Sequence, residues 1–312
     1  MTCARPRSWT VAVVLVAALI AASCGDDDAA DTADTTTSAS GAVATGSTTT
    51  VPTTTAASTT TAAPTTTTTT VPGPVDDTVF VTVDEMVLGW WDGSTWVETA
   101  DVEADVPPIA GETLRSVDGL PDVTAGEPLA SCMPEAGVVN WWLDGLEGVR
   151  ASGSHDLQPR PFEVIGAADA HVEAIRAVLD AEGVDPSVPV EIAQVTRLDI
   201  EGDGVDEVVI EAQRFPDGPL FGLIDEGHYS IIVLRRVVAD DSVENITLHA
   251  GIADLEQAGQ YVLRVDLAGP IDVNGDGAYE LASRWSYYEG GGVSLFELGA
   301  EPAEVLVAGC GA

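Results

Sequence analysis

Two nine-residue segments of this chain repeat one pattern of acidic side chains and glycine. They span residues 199–207 and 272–280, and each runs directly into an apolar segment of β type. Oxygen-bearing side chains occupy positions 1, 3, 5 and 9 of each segment, and a glycine occupies position 6, where a tight turn needs backbone freedom. The copies start 272 − 199 = 73 residues apart. The repeat therefore predicts two turns that open β-strands, in repeated units long enough to be propeller blades.

The side chains in both segments suit calcium, which prefers six to eight oxygen ligands in a turn of this kind. The first predicted ligand set is Asp199, Glu201, Asp203, the Val205 carbonyl and Glu207. The second is Asp272, Asn274, Asp276, the Ala278 carbonyl and Glu280. An EF-hand is excluded because position 12 is Ile210 or Ser283 instead of glutamate, and because no helix follows. We therefore predict calcium as the cofactor.

The two segments are not equally good candidates. The first offers four carboxylates and the second three, so formal charge favours the first. Ligand geometry favours the second, because the longer side chain of Glu201 crowds an ion at position 3. The alternative is that both are Asp-Gly turns whose carboxylates accept backbone N–H bonds without metal.

The pattern resembles the FG-GAP and VCBS repeat proteins, whose blades carry an Asp-x-Asn-Gly-Asp-Gly-x-x-Asp turn that leads into a strand. The resemblance covers residues of about 198–298, and it implies propeller-like blades. Two departures stand out: glutamate replaces aspartate at position 9 in both copies, and Glu201 replaces Asp or Asn at position 3 in the first.

The first 23 residues are predicted to be a signal peptide. Arg5 and Arg7 precede an apolar run over residues 11–20, and small residues lead to Cys24. This run is too short for a permanent membrane span. The ending resembles the lipobox of bacterial lipoproteins, which implies that Cys24 is lipidated and holds the protein on the extracytoplasmic face of the cell membrane. An ordinary secreted protein is the alternative.

Residues 24–75 are rich in Thr, Ala, Ser and Pro and lack apolar periodicity, so they are predicted to be a disordered tether. The third predicted region is a mainly β domain over residues 76–312. It contains the remaining cysteines, Cys132 and Cys310, which we expect to pair outside the cytoplasm. Two unpaired buried cysteines are the alternative.

Charge excludes several partners. All 12 basic residues are arginine, 51 residues are acidic, and the formal net charge is −39. Such a chain repels nucleic acid and anionic lipid surfaces, so no nucleic-acid partner is expected. The absence of lysine also excludes P-loop and Schiff-base lysine chemistry.

The predicted fold class is mainly β (α+β), antiparallel, with propeller-like blades and one amphipathic helix, because many short apolar runs alternate with Gly, Pro and Asp. The predicted strands span 78–83, 86–91, 95–99, 138–142, 162–165, 188–198, 207–215, 229–238, 246–250, 261–267, 279–288 and 293–298. The helix is predicted over about 168–182, with Asp169 as its cap, Gly183 after its end and an apolar face of Val172, Ile175, Val178 and Leu179. His171 is expected to be a surface or capping residue.

Two tryptophan pairs, Trp90-Trp91 and Trp141-Trp142, each precede an Asp-Gly dipeptide that favours a hairpin. Neighbours in a strand face opposite sides, so at least one of each pair is expected in the core. The aromatic residues could otherwise stack on sugars of a cell-wall polymer.

No catalytic motif is present, and adjacent Ser154, His155 and Asp156 are expected to form a turn instead of a triad. We expect a lipid-anchored, calcium-stabilised β domain with a binding or envelope-structural role, whose partner is an envelope polymer or protein. The alternative is a secreted hydrolase with a carboxylate-based site.

Overall fold

The structure is a computed structural model that describes residues 77–99, 107–133, 138–215, 227–238, 242–253, 262–287 and 289–311. The predicted signal peptide, Cys24 and the tether lie outside these residues. No helix in the described part of the chain has the length and apolar character needed to cross a membrane.

The described residues form 17 strands and one helix. In chain order they are β1 Val79–Val83, β2 Met86–Trp91, β3 Trp96–Glu98, β4 Thr113–Ser116, β5 Val123–Thr124, β6 Leu129–Met133, β7 Val138–Trp142, β8 Val149–Ala151, β9 Phe162–Val164, α1 Asp169–Ala181, β10 Ile192–Leu198, β11 Glu207–Arg214, β12 Tyr229–Val237, β13 Val243–Ile252, β14 Arg264–Ile271, β15 Glu280–Tyr287, β16 Gly290–Glu297 and β17 Ala303–Gly311. The predicted class, mainly antiparallel β with one helix, is confirmed.

The first sheet has eight strands in the order β5-β4-β8-β1-β2-β7-β6, with β3 paired to β2. It curls around a core that contains Phe80, Leu114 and Trp141. The tryptophan pairs face opposite sides as expected: Trp141 is buried in this core, and Trp91 is buried in the core on the other face. The alternation of a strand thus gives each pair one fully buried member.

The second and third sheets are meanders, in which each strand pairs with the next along the chain. The second runs β9-β10-β11-β12-β13 and the third runs β14-β15-β16-β17. Each repeated segment joins two paired strands and is followed by two more strands in chain order: residues 199–207 lead from β10 into β11, and residues 272–280 lead from β14 into β15. The repeat in the sequence therefore corresponds to a repeat in topology.

The three sheets stack face to face, with the third sheet in the middle. One core lies between the first and third sheets and contains Leu88, Ala282 and Leu306. Another lies between the second and third sheets and contains Ile232 and Leu281. Ala282 and Leu281 are neighbours on β15, so this strand buries both of its faces.

Side chains from the flanking sheets cover both edges of the third sheet. At the β17 edge, the Asn140 amide donates to the Gly309 carbonyl, and Gly309 N donates to Asn140 Oδ1 over 3.3 Å. At the β14 edge, Val265 N donates to Ser230 Oγ over 2.9 Å, and Leu267 N donates to Glu211 Oε2 over 2.9 Å. Backbone N–H and C=O groups that would otherwise be free to pair with another strand are thereby hydrogen-bonded, which discourages edge-to-edge aggregation.

The helix α1 packs its buried residues, among them Ile175 and Leu179, on the outer face of the second sheet. Its C-terminus matches the prediction: Gly183 has a φ of 77°, and Val184 N donates to the Leu179 carbonyl over 2.9 Å. Two details were wrong. Asp169 is the first helical residue and Ala168 is the N-cap. Val172 is 38% exposed, so it lies outside the buried face.

His171, and not Val172 as predicted, lies on the buried face of α1. It is 8% exposed, and its Nδ1 accepts the N–H of Ala168 over 3.1 Å. The expected capping role is therefore confirmed, but in a buried position. Burial, and then the positive charge of Arg235, lower the pKa of His171, which favours the neutral ring that this hydrogen bond needs.

Several strands differ from the prediction for one reason: their bounds depend on the strands with which they pair. The predicted strand 261–267 lies instead at Arg264–Ile271 and continues through Gly269 and Pro270. Pro270 is tolerated because β14 is an edge strand, and the ladder shifts register between Leu267 and Gly269.

Five strands, β4, β5, β6, β8 and β17, were not predicted at all. The first four are short, and β17 is made largely of Ala, Gly and Val. One expected hairpin also failed. Asp92-Gly93 does join β2 to its partner β3, whereas the Asp144-Gly145 turn follows β7, which pairs with β2 and β6.

Candidate metal centre

The two repeated segments, called loop 1 (199–207) and loop 2 (272–280), share one set of internal hydrogen bonds. In loop 1, Asp199 Oδ1 accepts the N–H of Gly202 over 2.7 Å, and its Oδ2 accepts the N–H of Gly204 over 3.1 Å. Both glycines have positive φ, 76° and 86°, so position 4 needs glycine as much as position 6 does. The carboxylate at position 1 therefore organises the turn.

Loop 2 repeats these contacts almost atom for atom. Asp272 Oδ1 accepts the N–H of Gly275 over 2.7 Å, and its Oδ2 accepts the N–H of Gly277 over 3.0 Å. The two glycines have φ of 73° and 83°. Asn274 at position 3 adds a bond from Asp276 N to its Oδ1, over 2.9 Å. The same residue types at the same spacing thus build the same turn twice.

Positions 5 and 7 are joined in both loops. Asp203 Oδ1 accepts the N–H of Val205 over 2.8 Å, and Asp276 Oδ1 accepts the N–H of Ala278 over 2.7 Å. The predicted roles of Val205 and Ala278 as carbonyl ligands are not tested by these bonds, which use their N–H groups.

The glutamate at position 9 reaches back to the start of each loop. Glu207 Oε2 accepts the N–H of Ile200 over 2.9 Å, and Glu280 Oε2 accepts the N–H of Val273 over 2.7 Å. Both glutamates are buried, with exposures of 3% and 1%. Position 9 is where the sequence departs from the FG-GAP pattern, and the extra methylene allows the carboxylate to span the loop.

The two loops touch each other. Tyr279 N, in loop 2, donates to the Ile200 carbonyl of loop 1 over 3.1 Å. The Tyr279 hydroxyl accepts the N–H of Arg160 over 3.1 Å and donates to the Arg160 carbonyl. Residues 152–161, which connect β8 to β9, therefore cross both loops.

Arg160 covers loop 1. Its Nε donates to the Asp199 carbonyl over 2.7 Å, and its Nη2 donates to the Ile200 carbonyl over 2.6 Å. The guanidinium also pairs with Asp199 Oδ2 at 3.9 Å and lies over the Tyr279 ring at 5.0 Å. A Cβ on Gly202 would lie 2.8 Å from Arg160 Nη1. Loop 1 thus has a protein cation directly against its backbone.

Loop 2 is covered by backbone and by a histidine. Asp272 N donates to the Leu157 carbonyl over 2.9 Å, and His155 Nε2 lies 2.8 Å from the Asp272 carbonyl oxygen. His155 is held in turn by Arg115, which donates to the carbonyls of Gly153 and His155. The chain bends at Ser154 and His155, where a turn was expected, and the histidine faces loop 2.

The loops therefore differ in burial. Asp272, Asn274 and Glu280 are 1–2% exposed, whereas Asp203, Gly204 and Val205 are exposed. In loop 2, burial raises the pKa of Asp272. The charge interaction with His155 lowers this pKa, and the negative charge of the neighbouring Asp276 raises it. Burial, with the charges of Asp272, Asp276 and Glu297, raises the pKa of Glu280 well above its usual value. Negative charge in loop 2 is consequently costly.

The carboxylates of loop 1 are less buried but also crowded. Burial raises the pKa of Glu207 to about 7, with further contributions from the charges of Glu201, Asp203 and Asp199. Burial likewise raises the pKa of Glu201. A cation near either loop would lower the pKa values of the carboxyl groups in that loop, because it would offset the repulsion between their negative charges.

The donor set suits calcium chemically, since every predicted ligand is an oxygen. The side chains are held by backbone N–H groups, however, and no group of three or more His, Cys, Asp or Glu side chains in the described ranges is arranged to hold a metal ion. The structure brings the predicted ligands together within each loop, and the loops with each other. The sequence did not indicate Arg160 or Tyr279; a tyrosine at position 8 of loop 2, where loop 1 has Asp206, was the only signal.

The predicted cysteine pair falls on β6 and β17. Cys310 is disulfide-bonded. The side chain of Cys132 is not among the described side chains, so its pairing with Cys310 stays a prediction.

Comparison with known proteins gives no relative for this chain: no family model, no curated protein and no solved structure matches it.

Proposed function

We propose that this chain is an exported, lipid-anchored β domain that calcium stabilises through loop 2 and that serves in binding or envelope structure. The tether at residues 24–75 holds the domain away from the membrane to which lipidated Cys24 attaches it. The repeat units are of FG-GAP and VCBS type in this proposal. What supports that assignment is that each Asp-Gly loop joins two paired strands and opens a run of three strands that pair in chain order.

The buried acidic set of loop 2 carries the calcium part of the proposal. Glu280 and Asp272 are almost wholly buried beside Asp276, and within the described residues His155 is the basic group that offsets the charge of Asp272. Buried carboxylates without a compensating cation are expensive. A divalent cation held by Asp272, Asn274, Asp276, Glu280 and the Ala278 carbonyl would neutralise this charge, as such loops do in calcium proteins.

In loop 1, the cation is supplied by the protein itself. Arg160 binds two carbonyls and the carboxylate of this loop, so Asp199 already has a positive partner. Asp199, Glu201, Asp203, the Val205 carbonyl and Glu207 are therefore the weaker of the two sets, in agreement with the crowding expected from Glu201.

The test of the calcium part is thermal unfolding of the full-length protein with EDTA, with magnesium and with calcium. Extracellular sites bind calcium at about 0.1–1 mM, so about 10 mM calcium would stabilise the fold by about 1.4–2.7 kcal/mol. We expect a rise in melting temperature of several degrees with calcium and a smaller one with magnesium. No rise at millimolar calcium would show that the loops are metal-free turns.

The anchoring part has a separate test. Metabolic labelling with a fatty acid should tag the wild-type protein and leave a Cys24→Ser variant untagged and released from the membrane fraction. Equal membrane retention of both would contradict lipidation at Cys24.

The predicted disulfide between Cys132 and Cys310 belongs to the same proposal. Cys132 pairs in register with Val139, whose neighbour Asn140 bonds to Gly309, the residue before Cys310. Strand β7 thus contacts both β6 and β17, the strands that carry the two cysteines. Such a bridge closes 310 − 132 = 178 residues, for which loop-closure entropy gives at most about 5 kcal/mol. Peptide mapping without reduction should recover the two cysteines in one linked peptide.

A further inference from the structure

The helix α1 covers part of the outer face of the second sheet. It packs on β12 and β13, and its buried residues Ile175 and Leu179 belong to one apolar core with Ile210 and Val233 of the sheet. Burial of these side chains is what holds the helix in place, since a helix of this length is marginal by itself. The contacts at the ends of α1 therefore decide how firmly the core beneath it is closed.

The N-terminus of α1 has no ordinary cap. Its N-cap residue is Ala168, which has no side-chain oxygen to accept a backbone N–H. His171 is instead joined to Ala168 twice: its N–H donates to the Ala168 carbonyl over 2.9 Å, and its Nδ1 accepts the Ala168 N–H over 3.1 Å. Glutamate or glutamine usually makes the second of these bonds, in the capping box. In α1 a side chain that titrates near neutral pH makes it.

The bond from Ala168 to the ring exists only while the ring is neutral. An unprotonated Nδ1 accepts a hydrogen bond, whereas both ring nitrogens of a protonated histidine are donors. Protonation of His171 therefore turns the acceptor into a second donor that faces the N–H of Ala168. The usual pKa of histidine is about 6.5, so mildly acidic conditions are enough to protonate this side chain once it leaves the sheet.

The strands beneath the His171 ring offer a positive charge no partner. The residue is 8% exposed, and burial, followed by the guanidinium of Arg235 on β12, lowers its pKa. The titratable residues of β13, Glu244 and His249, lie on the other face of the sheet, because they pair with residues that face the third sheet. Strand β12 contains no carboxylate. A protonated ring would therefore meet a like charge and no opposite charge from these two strands.

The helix itself also disfavours a positive charge at His171. Its N-terminus is the positive end of the helix dipole. The positions that lie beside His171 along the helix, three and four residues on, are Ala174 and Ile175, which are uncharged. Asp169 and Glu173 are two residues away, point to other sides of the helix and are exposed. Protonation thus breaks the capping bond without supplying a new one.

Contacts on either side limit which part of α1 depends on this cap. At the C-terminal half, Arg176 donates to the Val188 carbonyl, a bond that does not change between neutral and acidic pH. Before the helix, Ile165 N donates to the Val195 carbonyl of β10 over 2.9 Å. The residues between these two attachments, 166–175, include the capping bond and the first half of the helix.

We propose that the His171 cap is a pH-sensitive device: at neutral pH it holds the first half of α1 on the second sheet, and in acid the protonated ring releases that half and opens the apolar core beneath it. Above about pH 6.5 the ring is neutral in both the docked and the released helix. As pH falls below this value the released helix binds the proton first, so docking weakens until the docked ring is protonated as well. The device goes beyond the proposed function and involves neither loop 1 nor loop 2.

The test is amide hydrogen exchange of the full-length protein at about pH 7 and about pH 5, in EDTA so that the metal proposed for loop 2 does not contribute. Dividing each rate by the intrinsic exchange rate at the same pH gives the equilibrium constant for opening. We expect this constant to rise about tenfold in acid for residues 169–175 of α1. The amides of β1 and β2, strands of the first sheet without histidine, should show no such rise.

The variant His171→Gln separates the cap from other effects of acid. Glutamine at this position accepts the same N–H at every pH, so α1 should stay closed in acid. His249→Gln is the matched control. Burial lowers the pKa of His249 too, but this residue bonds to the Leu263 backbone and lies on the face of the second sheet away from α1. The control should keep the tenfold response of the wild type.

Three results would overturn the proposal: no rise in α1 opening in the wild type, an equal rise in His171→Gln, or loss of the response in His249→Gln. If His171→Gln does not fold, the wild type decides by itself. Ring NMR signals of His171 should then titrate over the same pH range as the opening of α1, and separate ranges would contradict the proposal. The calcium melting experiment reads the loops, so either proposal can fail without the other.

Discussion

Loops 1 and 2 share their sequence pattern, their positive-φ glycines and their internal hydrogen bonds, yet they lie in different surroundings. Loop 1 is exposed at residues 203–206 and has the guanidinium of Arg160 against its carbonyls. Loop 2 is buried, and backbone groups and His155 cover it. Nine residues therefore determine the turn, whereas the electrostatic demand of the turn depends on what the rest of the chain places over it.

The difference arises from one connection. Residues 152–161 pass over both loops, and Arg160 lies where its side chain reaches loop 1 and its backbone reaches Tyr279 of loop 2. The two loops are consequently one structural unit in which negative charge is compensated in two ways. Arg160 compensates it in loop 1, and in our proposal a metal ion compensates it in loop 2.

The largest effect is expected from Arg160→Met, which keeps apolar volume but removes the cation. It deletes two charged hydrogen bonds and the contact with the Tyr279 ring, so the free energy of unfolding should fall by about 2–4 kcal/mol. Because loop 1 then lacks its positive partner, millimolar calcium should restore part of the loss. Chemical denaturation with and without calcium measures both effects. A loss that calcium leaves unchanged would show that Arg160 does not stand in for a metal.

The next largest effect separates the loops directly. Asp276→Ala and Asp203→Ala remove the same position-5 carboxylate from loop 2 and loop 1. We expect Asp276→Ala to lose most of the calcium stabilisation, about 1.4–2.7 kcal/mol at about 10 mM, and Asp203→Ala to keep it. Thermal melts of both variants with calcium and with EDTA provide the comparison. If Asp203→Ala lost the response instead, loop 1 would be the metal site.

A smaller effect is expected from alanine at the loop 1 glycines. Gly202 and Gly204 both have positive φ, so each substitution costs about 1 kcal/mol of backbone strain. A Cβ at Gly202 also meets Arg160, whereas a Cβ at Gly204 meets open space. Gly202→Ala should therefore be the more destabilising variant in a denaturant titration. In an Arg160→Met background the two costs should become equal, and a persistent difference would argue against the contact.

The smallest effect concerns Glu211, a buried carboxylate outside both loops, which serves as a reference for loop 2. Burial, with the charge of Asp266 adding to it, raises the pKa of Glu211 against the bonds from Leu267 and Gln213. Below the pKa of unfolded glutamate both states bind the proton. As pH rises above that value the unfolded state ionises first, so stability falls until the native pKa is passed.

The variant Glu211→Gln should remove this part of the pH dependence. Glutamine keeps an acceptor for the N–H of Leu267 and has no charge to bury. Urea titrations between pH 4 and 8 should show a shallower decline for the variant than for the wild type, with calcium absent and present alike. An identical decline in both proteins would mean that burial does not raise the pKa of Glu211.

Much of the fold followed from local pattern. The strands β2 and β7 have the predicted bounds, and α1 ends at the glycine that was expected to end it. These elements have strong alternation or strong capping signals, which depend on neighbouring residues alone. Strands β4, β5 and β8 are short, and they form because the curled first sheet offers them partners. No local signal contains that information.

The residues of the candidate metal centre likewise divide into those that local sequence predicts and those that it does not. The carboxylates, the amide and the glycines of both loops were identified from spacing, because a turn of nine residues is a local structure. Arg160 was not, since it lies 39 residues from Asp199 along the chain. The ion pair between Asp84, in the turn from β1 to β2, and Arg284 on β15 was not either, because its members are 200 residues apart along the chain.

The sequence by itself determined the two loops, the β-rich class, the helix and the strongly negative charge, because each depends on composition or on contacts within a few residues. Only the tertiary structure decided which loop is buried and which has an arginine over it. These depend on how three sheets stack and on the path of one connection, and the energies involved come from burial and from pairs distant in the chain.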